Sequence, residues 1–203
     1  MARIYLLLLL VLCAVRPAGA ATVLVLGDSL SAGYGLALAE GWVHLLQARV
    51  GERHSVVNAS ISGDTTAGGL TRIDPALRRH RPDVVLIELG GNDALRGLPL
   101  SVIRANLEQI VQRVRKQGAH LVLVGMRISP NMGPAYTARF HAIYAEIAAE
   151  RALPLVPFLL EGVVTEPGMM QDDGIHASAP GQPRMLSNVW DTLQPVLESL
   201  GPN

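Results

Sequence analysis

Short apolar runs alternate with longer stretches of mixed character along most of this chain. Thr22–Gly27 (TVLVLG) and residues 55–59 (SVVNA), 83–89 (DVVLIEL) and 119–125 (AHLVLVG) are rich in Val, Leu and Ile, and 155–158 adds a fifth run. Each is closed by Gly or a small polar residue, which predicts strands buried on both faces. Between them, residues 41–50, 67–80, 100–116, 134–151 and 183–200 predict helices, the last two with apolar side chains at spacings of three and four. Strict alternation of strand and helix, joined by right-handed crossovers, gives a parallel sheet covered on both faces. The expected fold class is therefore α/β, a single-domain three-layer α/β/α sandwich. Its ligands should bind beyond the carboxyl ends of the strands.

The first twenty residues break this rhythm. Arg3 precedes an uncharged stretch of 12 residues, 4–15, with a Leu block at 6–10, and Ala18-Gly19-Ala20 follows. Crossing a bilayer as a helix takes about 20 apolar residues and a secretory h-region roughly 7–15, so the length predicts a cleavable signal peptide over 1–20. The remaining domain, 21–203, is expected in the periplasm or outside the cell, without a stable membrane anchor. The only cysteine, Cys13, lies inside the apolar stretch, and Leu12 before it argues against lipid attachment. The exported domain then has no thiol and no disulfide, so its stability must come from its core.

Composition narrows the function. The chain has 203 residues, 49% hydrophobic, with 17 basic and 17 acidic side chains and a formal net charge of zero. Such a balance argues against nucleic acid as a partner, which calls for a clustered basic face. A small-molecule substrate and a monomeric state are the expectation.

Candidate chemistry gathers where the predicted strands end. The first strand runs into Gly27-Asp28-Ser29-Leu30-Ser31, a glycine-flanked turn that aims a serine hydroxyl at the ligand crevice; a plain helix cap by Ser29 or Ser31 is the alternative. The G-x-S-x-G elbow is not met, because position 31 is Ser. Near the other end, Asp172-Asp173-Gly174-Ile175-His176 places a carboxylate three residues before a histidine. It can fold back to accept the Nδ1 proton and leave Nε2 for a serine hydroxyl. Ser62-Gly63-Asp64 follows the second strand and Gly90-Gly91-Asn92-Asp93 the third, so the Gly63 N–H and the Asn92 amide are candidate oxyanion donors, or simply a turn glycine and a capping residue. Asp64 and Asp93 read as helix N-caps. His44, His54, His80, His120 and His141 fall in or beside predicted elements and read as ordinary structural histidines. No H-x-x-x-H or H-E-x-x-H spacing exists, so neither metal nor cofactor is expected.

Four ordered segments, GDSLSAGYG at 27–35, VVNASISGDT at 56–65, ELGGNDALRG at 88–97 and MQDDGIH at 170–176, resemble the blocks of the SGNH (GDSL) hydrolase superfamily. Within it the chain is most similar to the periplasmic thioesterase I, protease I and lysophospholipase (arylesterase-like) family. The resemblance implies a flavodoxin-like five-stranded parallel sheet in the order 2-1-3-4-5. It implies Ser29 as nucleophile, His176 as general base and acid and Asp173 as its partner, with Ser29 N–H, Gly63 N–H and Asn92 as the oxyanion hole. It implies an esterase acting on acyl esters and thioesters through an acyl-serine intermediate. Ala177 and the Pro180-Gly181 pair depart from the family pattern, which puts the stiffness of the His176 loop in question. The apolar loop 128–136 follows the fourth strand, and its Ile128, Pro130, Met132 and Tyr136 are candidates for an acyl-chain wall, a plain surface loop being the alternative. Rival functions are a carbohydrate O-deacetylase and a non-catalytic exported lipid- or sugar-binding module.

Overall fold

The computed structural model describes residues 20–201. The predicted signal peptide therefore lies almost wholly outside the described residues.

Five parallel strands, β1 (Thr22–Gly27), β2 (Ser55–Asn58), β3 (Val84–Glu88), β4 (His120–Val124) and β5 (Leu155–Val156), form one sheet in the order β2-β1-β3-β4-β5. The period of two in a strand sorts their side chains onto two faces. Val23 and Val25 of β1, Val84 and Leu86 of β3, and Val122 and Val124 of β4 point to one face. There they meet α2 (Trp42–Val50) and α7 (Gln182–Glu198). Leu24, Leu26, Val85, Ile87, Leu121 and Leu123 point to the other, against α3 (Thr66–His80), α5 (Leu100–Lys116) and α6 (Pro134–Arg151). Two one-turn helices complete the fold, α1 (Ser29–Ala32) and α4 (Gly91–Leu95), both directly beyond strand ends.

Both edge strands depart from the expectation of burial on both faces. β5, at one edge, keeps two of the four expected residues, with Leu155 half-buried. β2, at the other, is only partly buried. Its open side is closed by a side chain instead of a strand: the Val56 N–H donates to Gln47 Oε1 at 2.7 Å, and Gln47 Nε2 donates to the carbonyls of Gly51 and His54. A free row of backbone groups is a template for pairing with another chain, and the Gln47 amide blunts it.

Candidate active site

β1 ends at Gly27, and the next residue, Asp28, caps α1 by accepting the Leu30 N–H at 3.0 Å. Ser29 is thus the first residue of a helix, where the backbone N–H has no carbonyl a turn earlier to bond. Gly33, in the left-handed region at φ 75°, ends that helix after one turn. Gly27 itself is extended strand and needs no special φ, contrary to the turn role expected of it. A Cβ on Gly27 would stand 2.6 Å from Glu88 Oε2 and 2.8 Å from the Ser31 Cβ, so the residue is small because its neighbours need the room.

Across the crevice, the segment between β5 and α7 delivers the histidine. Met170 and Ala177 form a bridge, the Gln171 N–H donates to the His176 carbonyl at 2.8 Å, and Gly174 turns the chain at φ 65°. Within that tight turn Asp173 is fully engaged. Its Oδ1 accepts the Ile175 and His176 N–H groups at 2.9 and 3.0 Å, and its Oδ2 lies 2.6 Å from His176 Nδ1. Those donors, the His176 N–H first and its ring second, hold the Asp173 carboxyl below the usual range, at about 2. The opposite ring nitrogen, Nε2, is 2.8 Å from Ser29 Oγ. With Nδ1–H bonded to Asp173, Nε2 carries the lone pair and accepts the serine proton. Ser29, His176 and Asp173 therefore form one hydrogen-bonded row. Asp172 is exposed and stands outside it.

Two residues in this row's surroundings carried no expectation from the sequence. The Tyr34 ring lies 4.6 Å from the His176 ring, tilted 35°, and covers it. Gln171 Nε2 donates to the carbonyls of Tyr34 and Ala177, tying that aromatic lid to the histidine loop. The departures at Ala177 and Pro180-Gly181 are absorbed by packing. Ala177 is buried in the core, and residues 179–181 form a 3-10 turn that leads into α7.

The candidate oxyanion donors arrive from β2 and β3. Gly63 lies in a turn closed by the Asp64 N–H on the Ile61 carbonyl, and that turn is tied to the end of β1 by the Ile61 N–H on the Gly27 carbonyl. It is exposed, with φ 78° and nothing within 4 Å of where a Cβ would stand, so the left-handed backbone is the protein's own reason for glycine there. Asn92 sits in the first turn of α4, and its Nδ2 donates to Asp28 Oδ2 at 3.0 Å. One amide hydrogen is thereby held, which fixes the direction of the other.

The expected caps are corrected. Thr65, not Asp64, caps α3 by accepting the Gly68 N–H; Asp64 pairs with Arg72. Asp93 lies inside α4, fully buried, and accepts both the Thr66 N–H at 2.9 Å and the Thr66 hydroxyl at 2.6 Å. It serves the amino end of α3 from a different helix, a pairing that local spacing does not reveal.

Ile128 in the loop after β4 and Tyr136, which lies in the first turn of α6 rather than in that loop, pack against the core; Met132 is half-buried, and the Tyr136 hydroxyl donates to the Leu98 carbonyl at 2.7 Å. Pro130 begins a 3-10 turn. Cavities of about 230 and 160 Å³ lie elsewhere, the first beside Arg49 and Trp190, the second between Leu38 and Val56. Neither is an acyl pocket formed by the 128–136 loop.

Beneath the row lies a pair of carboxyl groups. Glu88, at the end of β3, is fully buried; its Oε2 accepts the Asp28 N–H at 3.1 Å and the Ser31 hydroxyl at 2.7 Å. Burial, reinforced by the charge of Asp28, pushes Glu88 well above the usual carboxylate range. Burial also raises Asp28, to about 6, against the pull of its hydrogen-bond donors.

A parallel 2-1-3-4-5 sheet carrying a Ser-His-Asp row at its carboxyl edge defines a class of hydrolases. Comparison with known proteins agrees. The profile of the GDSL-like Lipase/Acylhydrolase family matches residues 25–184, and the chain belongs to that family. It is an ester hydrolase of the GDSL/SGNH type. It is 49% identical to Esterase TesA of Pseudomonas aeruginosa over 185 residues, 90% of this chain and 92% of the relative. It is 45% identical to Thioesterase 1/protease 1/lysophospholipase L1 of Escherichia coli K12 over 190 residues, 94% and 91% of the two chains. Among solved structures, that of TesA superposes with a TM-score of 0.83 at 50% identity, covering 86% of this chain and 99% of the other.

Proposed function

We propose that residues 21–203 form an exported serine esterase that hydrolyses acyl esters and thioesters through an acyl-Ser29 intermediate. The observation that carries this reading is the Ser29, His176 and Asp173 row, with distances of 2.8 and 2.6 Å. His176 Nε2 takes the Ser29 proton as Oγ attacks the acyl carbonyl, and the resulting imidazolium stays paired with Asp173. Negative charge then develops on the carbonyl oxygen, against the Ser29 and Gly63 N–H groups and the Asn92 amide. His176 returns the proton to the departing alcohol or thiol. In the second half-reaction it takes a proton from water, which attacks the acyl carbon, and it returns that proton to Ser29 Oγ as the acyl–Oγ bond breaks and the acid leaves.

The relatives' names, esterase and thioesterase/lysophospholipase, support both kinds of acyl donor. Cleavage after Ala20 and action as a monomer belong to the same proposal. Such cleavage would leave Ala21 as the first residue, directly before β1.

The test is covalent labelling with a fluorophosphonate together with rates on p-nitrophenyl esters of rising chain length. Wild type should label at Ser29 and turn over short and longer esters, and Ser29→Ala should do neither while keeping its fold. Label retained in Ser29→Ala would move the nucleophile elsewhere, and activity confined to acetyl esters of sugars would make the enzyme a deacetylase.

A further inference from the structure

The turn that carries Ser29 is held from β2 by the Asn58 amide on the Ser31 carbonyl at 2.8 Å and from β3 by a fully buried carboxyl. Gly27 and Glu88 are register partners on adjacent strands, and the carboxyl reaches across beneath the end of β1. Its Oε2 holds the residue before Ser29 through the Asp28 N–H and the residue two after it through the Ser31 hydroxyl. Asp28 then commits Oδ1 to the Leu30 N–H and Oδ2 to the Asn92 amide. The chain of bonds thus runs from Glu88 to the serine's helix on one side and to an oxyanion donor on the other.

We propose that Glu88 is a positioning residue of the hydrolysis, fixing the Ser29 turn and, through Asp28, the direction of the Asn92 amide. The assignment rests on the reading of Ser29 as nucleophile. Three further observations support it. The other residues of β3, Val84 to Ile87, are all apolar and fully buried, so the core asks for a hydrophobic side chain at this strand end. A buried carboxyl is less stabilising than such a residue, and persists where a site's geometry depends on it. Gly27 is cut to match, since any Cβ there would collide with Glu88 Oε2. Finally, Glu88 Oε1 has no hydrogen-bond partner, so the bonds through Oε2 are what tie this carboxyl to its surroundings.

Glu88→Gln, Glu88→Met and Asp28→Asn, made in the full chain, test the assignment by steady-state kinetics on p-nitrophenyl butyrate, with circular dichroism to verify folding. Glutamine retains an acceptor where Oε2 stands, so kcat should stay within about threefold of wild type. Methionine keeps the volume but removes the acceptor. It should lower kcat by about 10- to 100-fold, approaching the loss of one oxyanion donor, with KM within about twofold. Asp28→Asn can still cap α1 but turns an N–H toward Asn92, and should show the same pattern, which keeps the test decisive if Glu88→Met fails to fold. Wild-type kcat in a folded Glu88→Met or in Asp28→Asn, or an equal loss in Glu88→Gln and Glu88→Met, overturns the proposal. Absence of fluorophosphonate label on Ser29 in wild type overturns the nucleophile reading beneath it.

Discussion

Replacing Glu88 by glutamine should make the protein's stability less sensitive to pH, and the size of the effect follows from where the carboxyl sits. Glu88 is fully buried on the last residue of β3, with Asp28 as its nearest charge and Tyr144 behind it, whose hydroxyl burial keeps neutral. In the unfolded chain a glutamate loses its proton near pH 4.3. The folded state keeps the proton on Glu88, so above that pH it binds one more proton than the unfolded state. Stability must then fall as pH rises, by about 1.4 kcal/mol per unit, until the folded-state pKa is reached. Glutamine has no proton to hold. The variant should gain on wild type by up to about 1.4 kcal/mol for each pH unit between the unfolded and the folded titration of Glu88. Asp28 also titrates with a raised pKa, but it does so in both proteins while Glu88 is neutral, and its contribution cancels in the difference. Two amide hydrogens now stand where Oε1 had no partner, which offsets the variant's curve by a constant and leaves its slope untouched. The assay is urea unfolding of both proteins at half-unit steps from pH 4.5 to 8.5, with m held common. The gap should open with rising pH and then level off, and the levelling point reads the native titration of Glu88. Parallel curves across the whole range would refute the reasoning, because they would mean that Glu88 ionises in the native state as easily as in the unfolded one.

Other expectations follow from the same geometry. Asp173→Asn should lower the kcat/KM plateau by roughly 10²–10⁴, because an amide no longer enforces the Nδ1–H tautomer, while Asp172→Asn stays near wild type; rates from pH 5 to 9 decide between them. Since Asp173 is held at about 2, its charge persists over that whole range and it adds nothing to the acid limb, whereas Asp28, raised to about 6, titrates within it. Asn92→Ala should reduce kcat by roughly 10²–10³ with KM little changed, and a loss confined to KM would remove Asn92 from the oxyanion hole. Gly27→Ala should destabilise by about 1–3 kcal/mol, as measured by urea midpoint, because its Cβ has no room beside Glu88 and Ser31.

Most of the architecture was legible in the sequence because a parallel sheet writes itself as Val-, Leu- and Ile-rich runs, and β1, β3 and β4 fall within a residue of where those runs place them. The exceptions have physical causes. β2 spans its run to within a residue but is only partly buried, and β5 keeps two of its four expected residues; both lie at edges, and edge position is a property of strand order rather than of the strand. Helices α1 and α4 are single turns of four and five residues, too short to show a period. At the site, local spacing and block resemblance singled out Ser29, Asp173 and His176, which lie in one hydrogen-bonded row, whereas Asp93 bonds to Thr66 across 27 positions and no local pattern encodes that. Tyr34 and Gln171, 137 positions apart, were hidden for the same reason. Glu88 did leave a signal. A carboxylate inside DVVLIEL, a run expected to be buried on both faces, has to be neutral or paired, and either alternative marks it for attention.

The two edges of the sheet divide the work of the chain. At the amino edge the helix-to-strand connections are three or four residues long, at 51–54, 81–83, 117–119 and 152–154. Arg81 and Ala152 adopt left-handed φ values of 44° and 50° there to end helices at once, which costs each about 1–2 kcal/mol and is worthwhile only where the packed layers leave no slack. At the carboxyl edge β1 and β3 run almost directly into the one-turn helices α1 and α4, whereas the connections from β2 to α3, from β4 to α6 and from β5 to α7 are long, the first of them seven residues. Among the described residues every exposed large apolar side chain, Tyr34, Leu38, Ile61, Leu95, Val102, Val164 and Ile175, lies on that edge or in the first turn of a helix leaving it. The proposed reacting groups follow four different strands, Ser29 and Asn92 on the short helices α1 and α4 and Gly63 and His176 on the long connections. Rigidity then has to come from specific anchors rather than from short loops. Gln171 holds Tyr34 to the histidine loop, Asp93 holds α3 to α4, and Glu88 holds the serine turn to β3. Each anchor is a buried or half-buried polar side chain whose loss would leave the strands and helices in place and the reacting atoms adrift.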